Sequence, residues 1–183
     1  HIRIPYHHTY QEAEIPSEKL RAILSPGEAT TDSPTVEEQR RRVTHALDHP
    51  IGSLRLAELA VGKKTATIIT SDHTRPVPSH ITLPLLLDQL RKGNPAIDIR
   101  ILVATGCHRP TTPEEMQTKF GADVVAREKF VMHVSTDRES VRLIGRLPSG
   151  GELWLNKLAL DTDLLISEGF IEPHFFAGFS GGR

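Results

Sequence analysis

Two histidines, His108 and His174, stand just beyond apolar, strand-like stretches at 97–104 and 163–167. An imidazole takes up and returns a proton near neutral pH, so two of them facing one substrate from opposite sides suit a reversible reaction. A loop histidine can equally do no more than satisfy local backbone groups, and both readings stand on these residues alone. Arg75 sits in a loop between Asp72 and Pro76. Its guanidinium can grip a carboxylate or phosphate through two parallel hydrogen bonds, or pair with Asp72 and order the turn. Arg109, next to His108, either orients that loop or holds an anion. The string Gly178-Phe179-Ser180-Gly181-Gly182-Arg183 lets backbone amides turn towards an anion, although glycine there also suits a tight turn. Cys107 and His108 are adjacent, and neighbours in an extended loop point apart, which disfavours a cysteine–histidine nucleophile. Metalloprotease, zinc-ribbon, serine-hydrolase and Walker motifs are all missing from the sequence. Trp154 and the Phe175-Phe176 pair read as packing residues, with lining of a pocket the alternative for Phe176.

The elements that must position these groups follow from the pattern. Residues 3–6 read as a short strand, followed by a variable connection and then helices, with 26–34 as a loop rich in Pro, Gly, Ser and Thr. Thr35 and Glu38 have capping-box spacing at the start of a helix, whose Arg40, Arg41 and Arg42 lie on a solvated face. From 65 onwards strand, loop and helix alternate. Residues 65–70 (TATIIT) form a buried strand, and Leu83, Leu86, Leu87 and Leu90 give a helix that ends at Gly93. A strand at 97–104 follows, then a helix opened by Thr112-Pro113-Glu114-Glu115, and a third strand at 130–135. Residues 141–147 and 152–156 flank a Pro-Ser-Gly-Gly turn as a hairpin, and 163–167 is a further buried strand. This order predicts an α/β, Rossmann-like domain over 1–183, with a mostly parallel sheet, helices on both faces and a β-hairpin. Ligands of such sheets bind beyond the carboxyl ends of the strands. Three loops bring polar groups there: Asp72, His73 and Arg75; His108 and Arg109; Glu168, Glu172 and His174. The first two loops echo each other as SDHTRP and TGCHRP.

An apolar fraction of 38% and a charged fraction of 25% are those of an ordinary globular chain. The net charge of −1 offers no long-range attraction for nucleic acid or an anionic membrane, and neither partner is expected. A single cysteine fits a reducing, cytoplasmic setting. The start lacks an initiator Met and any signal-peptide pattern, and reads as trimmed.

The segments SDHTRPVPSH, ILVATGCHRP, VMHVST, LPSGG and LLISEGFIEPHFFAGFSGGR, in that order, closely resemble the N-terminal domain of the nickel-dependent lactate racemase family. The resemblance is near-continuous over 65–183 and thinner before that. It implies racemisation or epimerisation of a 2-hydroxy acid with a nickel-pincer pyridinium mononucleotide. His108 and His174 match the family's proton donor and acceptor. Asp72, His73, Thr74 and Arg75 match the cofactor-contacting loop, with Arg75 also placed for the substrate, and Ser180 and Gly182 belong to the glycine-rich cofactor string. In the family a lysine directly after that string carries the cofactor, so attachment is expected beyond Arg183, with no metal ligand on this chain. The resemblance also implies three partners: a small 2-hydroxy acid, a C-terminal domain and cofactor-maturation proteins. Two alternatives are a non-catalytic nucleotide- or anion-binding module and a nicotinamide-dependent dehydrogenase. The second is disfavoured because no glycine fingerprint follows the first strand.

Overall fold

The computed structural model describes residues 2–22 and 34–181. The loop expected at 26–34 falls almost entirely outside the described residues, as does Gly182. Contacts divide the chain into two units, with the division between residues 33 and 34.

The first unit is a hairpin. Strand β1 (Ile2–Tyr6) pairs antiparallel with β2 (Thr9–Ala13), and a single 3-10 turn follows at Ser17–Lys19. His7 takes a positive φ of 55° at the bend, and the Thr9 hydroxyl donates to the Tyr6 carbonyl at 3.0 Å. The variable connection read after β1 is therefore in part a second strand. A TYQEA segment lacks the apolar alternation that announces one.

The second unit is the α/β domain. It begins with α1 (Val36–Asp48), where the Thr35 hydroxyl accepts from the Glu38 amide as the capping signature requires, and α2 (Leu56–Ala60). Then come β3 (Thr65–Ser71), α3 (Ser79–Gly93), β4 (Asp98–Ala104), α4 (Pro113–Phe120), α5 (Ala122–Arg127) and β5 (Lys129–Met132). The antiparallel hairpin β6 (Val141–Arg146) and β7 (Glu152–Asn156) leads into α6 (Lys157–Leu160) and β8 (Leu164–Ser167). A second, short antiparallel pair closes the chain: β9 (Glu172–His174) and β10 (Gly178–Ser180). That pair replaces the open glycine-rich loop expected after β8.

Four strands form one parallel sheet in the order β5-β4-β3-β8. Alternate residues of β3 and β4 (Ala66, Ile68, Ile99, Ile101 and Val103) face Leu83, Leu87 and Leu90 of α3 and Met116 and Phe120 of α4 in one core cluster. Each fully buried leucine or isoleucine there contributes about 1.5–3 kcal/mol of transfer free energy. On the other face, the Thr67 hydroxyl donates to the Leu158 carbonyl of α6 at 3.0 Å. The sheet thus carries helix on both sides. β3 and β4 pair from Thr65↔Asp98 to Ser71↔Ala104, so both end level, and their loops leave side by side.

Candidate active site

Asp72 is the first residue after β3 and is almost wholly buried, at 1% exposure. A buried carboxylate must be matched by donors. The Thr74 amide donates to its Oδ1 at 3.0 Å and the Thr74 hydroxyl to the same oxygen at 2.6 Å. His108 Nδ1 lies 2.6 Å from Oδ2. Burial by itself pushes the Asp72 carboxyl up, but the bonds from Thr74 and His108 outweigh it and hold the acid below its ordinary value. An ionised acceptor at Nδ1 places a proton on that nitrogen and leaves the His108 Nε2 lone pair as the proton-accepting end of the ring.

His108 reaches Asp72 because the β4 loop turns tightly. The His108 amide donates to the Thr105 carbonyl at 2.9 Å, closing a four-residue turn in which Gly106 takes φ 58°. Glycine occupies that left-handed conformation without a Cβ penalty. The echo between SDHTRP and TGCHRP has its physical counterpart here, as the two loops join through the Asp72–His108 pair. The second arginine of the echo has a different fate. Arg109 forms a two-pronged pair with Glu115 at 2.8 and 2.6 Å, and Glu115 also accepts from the Thr112 amide. Those bonds bring the Glu115 carboxyl down to about 2, and Arg109 orders the start of α4.

Arg75 is not paired with Asp72. Its amide donates to the Asp72 carbonyl at 3.3 Å, while its guanidinium makes only long contacts, 3.4–3.5 Å, to the Thr74 hydroxyl and carbonyl. Among the described residues no carboxylate lies within ion-pair distance of that guanidinium. Arg75 lines three cavities at this sheet edge. One, of about 300 Å³, holds Asp72, Thr74 and His108; another, of about 690 Å³, holds His174, Ser180 and Gly181. Ser71, Arg75 and Glu168 border both, so the two histidines open onto adjoining spaces with one cationic side chain between them. Among the described residues the buried Ser71 hydroxyl has no hydrogen-bond partner.

His174 ends β9 and is half-buried. Its Nδ1 accepts from the backbone amides of Phe176 and Ala177 at 3.4 and 3.3 Å. That arrangement puts the neutral ring's proton on Nε2, the opposite of His108. Phe175 and Phe176 pack around the imidazole, with ring centroids at 4.8 and 4.3 Å, but both are exposed, at 92% and 78%. They pack against His174 and each other at the surface, not in the core. Trp154 likewise lies on the exposed β6–β7 hairpin under Arg138.

The glycine-rich string forms a return strand. Ser180 donates to Glu172 at 3.3 Å across the β9–β10 pair. Gly181 takes φ 78° and passes so close to the Phe170 carbonyl oxygen that a Cβ would stand 1.9 Å from it. Its glycine is explained by this approach. His73 turns away from the two histidine cavities. Its Nδ1 meets the Thr111 hydroxyl at 3.2 Å, and it lines the third cavity with His80 and Lys119.

Sequence reasoning singled out Glu168 only as a polar group at the edge. The structure shows a carboxylate gripped by three hydroxyls: Thr70 at 2.5 Å, Ser79 and Thr82. It ties the ends of β3 and β8 to the first turn of α3. Hydroxyls clustered near the amino end of a predicted helix were the available signal.

Comparison with known proteins is consistent with this geometry. The family model of the lactate racemase N-terminal domain matches residues 6–183. Lactate racemase from Thermoanaerobacterium thermosaccharolyticum is 55% identical over 182 residues, and lactate racemase from Lactiplantibacillus plantarum 54%. Each alignment covers 100% of this chain and 42% of the relative, so the chain spans less than half the length of those proteins. The solved lactate racemase apoprotein from T. thermosaccharolyticum superposes with a TM-score of 0.86 at 54% identity, over 99% of this chain and 41% of that one. A Thermotoga maritima protein, 24% identical with a TM-score of 0.59 over 81% of this chain and 36% of that one, shares the fold. The chain belongs to the lactate racemase N-terminal domain family.

Proposed function

We propose that this domain supplies the proton-handling and anion-gripping groups for racemisation of a small 2-hydroxy acid such as lactate in the whole protein. The observation that carries the reading is the pairing of two histidines of opposite polarity, on adjoining cavities that share Arg75. A 2-hydroxy carboxylate needs three services. Arg75 grips the carboxylate with a guanidinium that no protein carboxylate occupies among the described residues. His108, held by Asp72, accepts the hydroxyl proton at Nε2 of one enantiomer. His174, on the other side, donates a proton to the same oxygen as the product forms, from a ring that has first taken a second proton from solvent, while His108 releases to solvent the proton it took, and the roles exchange for the reverse direction.

Abstracting the Cα proton directly is hard, because it is a very weak acid. The nickel-pincer nucleotide implied by the family supplies, when bound, an acceptor for the hydrogen and electron pair of the Cα–H bond, to be returned to either face. The residues present suit its anionic nucleotide part. Ser71 has a buried hydroxyl without a partner among the described residues, and Ser180 and Gly181 border the cavity of about 690 Å³. Among the described residues no group of three or more His, Cys, Asp or Glu is arranged to hold a metal ion. On this reading, as the family resemblance implies, the metal ligands and the point of attachment belong to the remainder of the protein, which, with maturation proteins, is the partner required. An exposed, unpaired Cys107 suits a reducing cytoplasm, and none of the described helices is long and apolar enough to cross a membrane.

The test uses the full-length protein from a nickel-supplied, maturation-competent host. Intact mass spectrometry is expected to show a covalent cofactor, and the protein to interconvert the lactate enantiomers. Substituting His108 or His174 with Ala should abolish racemisation while leaving a half-reaction on one enantiomer, opposite in the two variants. An unmodified, inactive wild-type protein would leave a nucleotide- or anion-binding module as the better description.

A further inference from the structure

The loop that carries Arg75 has few bonds of its own. Pro76 and Pro78 donate no backbone hydrogen bond, and among the described residues the Arg75 guanidinium is fastened only by contacts of 3.4–3.5 Å. What fixes this arginine is its backbone. On one side the Arg75 amide donates to the Asp72 carbonyl. On the other, Lys119 Nζ donates to the Arg75 carbonyl at 2.8 Å, across 44 residues of sequence.

Lys119 is not needed to dock its own helix. Met116 and Phe120 of α4 are buried in the core cluster and hold it to the sheet. The Lys119 side chain is half-buried, with its ammonium 5.7 Å from the centroid of the Phe120 ring. Burial pushes its acidity up, lowering the pKa of the ammonium, while the charges of Glu168 and Asp72 act against that shift. A half-buried ammonium bonded to a carbonyl makes a charge-assisted tether.

We propose that Lys119 is a positioning residue: it fixes the Arg75 backbone so that the guanidinium meets the substrate carboxylate. The inference rests on the racemase reading above. The carboxylate is gripped in the ground state and the transition state alike. Loosening the grip therefore raises KM more than it lowers kcat. Charge and reach both matter: Arg in place of Lys retains a charged donor on a stem of similar length, whereas the Gln amide is neutral and stops short of the carbonyl.

The test is steady-state kinetics of the full-length, cofactor-loaded enzyme with L- and D-lactate. Lys119→Met, which keeps the apolar stem against Phe120, should raise KM about tenfold with kcat within about threefold of wild type. Lys119→Gln should behave similarly, and Lys119→Arg should restore KM to within about threefold. In an Arg75→Lys background the Met substitution should add less than about twofold, because the group it positions is already lost. An unchanged KM in Lys119→Met and Lys119→Gln overturns the proposal, as does a rise that persists undiminished in the Arg75→Lys background. Should Lys119→Met fail to fold, Lys119→Gln carries the same comparison. A wild-type protein that is loaded but does not racemise lactate instead removes the racemase reading, and this proposal with it.

Discussion

Replacing Asp72 with Asn tests how the site sets the proton of His108. The carboxylate is buried and accepts from three donors: the Thr74 amide and hydroxyl at Oδ1, and His108 at Oδ2. An asparagine keeps the shape but has one acceptor and one donor end. If its oxygen stays with Thr74, its NH2 faces His108 Nδ1, and that nitrogen must become the acceptor. The ring proton then moves to Nε2, where His108 can no longer accept from substrate. If the amide turns the other way, two Thr74 donors face an NH2. Each charge-assisted bond lost is worth about 1.5–3 kcal/mol, which is roughly 10- to 150-fold in rate. Inverting the tautomer adds to this, and aspartate-to-asparagine changes behind a catalytic histidine reach about 10⁴. The expected fall in racemisation is therefore about 10²- to 10⁴-fold, with the fold intact. Racemisation rates for both enantiomers, with ¹⁵N spectra of histidine-labelled protein to read the tautomer, provide the assay. The spectra read which way the amide has turned, and a variant within about threefold of wild type would refute the reasoning in either orientation.

The remaining expectations are shorter. Arg75→Lys should cut kcat/KM for lactate by well over about tenfold without unfolding the protein, since a point charge cannot reproduce two parallel bonds; near-native kinetics would reduce Arg75 to a loop residue. Gly181→Ala should open the β9–β10 pair, because φ 78° and a Cβ 1.9 Å from the Phe170 carbonyl cannot both be kept; racemisation should drop with little change in thermal midpoint, and an active variant would count against the hairpin as the support of His174. Because the folded pKa of Asp72 lies below its unfolded value, its stabilisation is present above about pH 4 and fades as pH falls through the lower folded value. The stability gap between wild type and Asp72→Asn in urea titrations should therefore be wide at pH 7 and narrow below about pH 4. A gap independent of pH would contradict it.

The strands and helices of the second unit were legible because their signals are local. The β-branched run at 65–70, the leucines of α3 and the Thr112 capping box each announce an element within a few residues. The sheet edge that collects Asp72, Arg75, His108 and His174 followed from topology. What joins them did not. Asp72 finds His108 only because β3 and β4 end level, a matter of register between strands separated by a helix. The hydroxyl clamp on Glu168 spans three elements. The terminal hairpin was hidden because its glycines suit an anion loop as well as they suit a close return past Phe170.

The sheet order also bears on how the protein is made. β3 is flanked by β4 and β8, and its bonds to β8 join residues 98 apart, as in Thr70 with Glu168. Synthesis at about 5–20 residues per second leaves one edge of β3 without its neighbour for roughly 5–20 s after that strand emerges. During that interval Ala66–Ile69 offers a row of unsatisfied amides and carbonyls on an aliphatic strand, a template for pairing with another nascent chain. The same late strand brings Glu168 to its three hydroxyls and leads into the hairpin of His174. Completion of the candidate site's edge and protection from aggregation are thus one folding event, and production at lower temperature or with chaperones should favour both together.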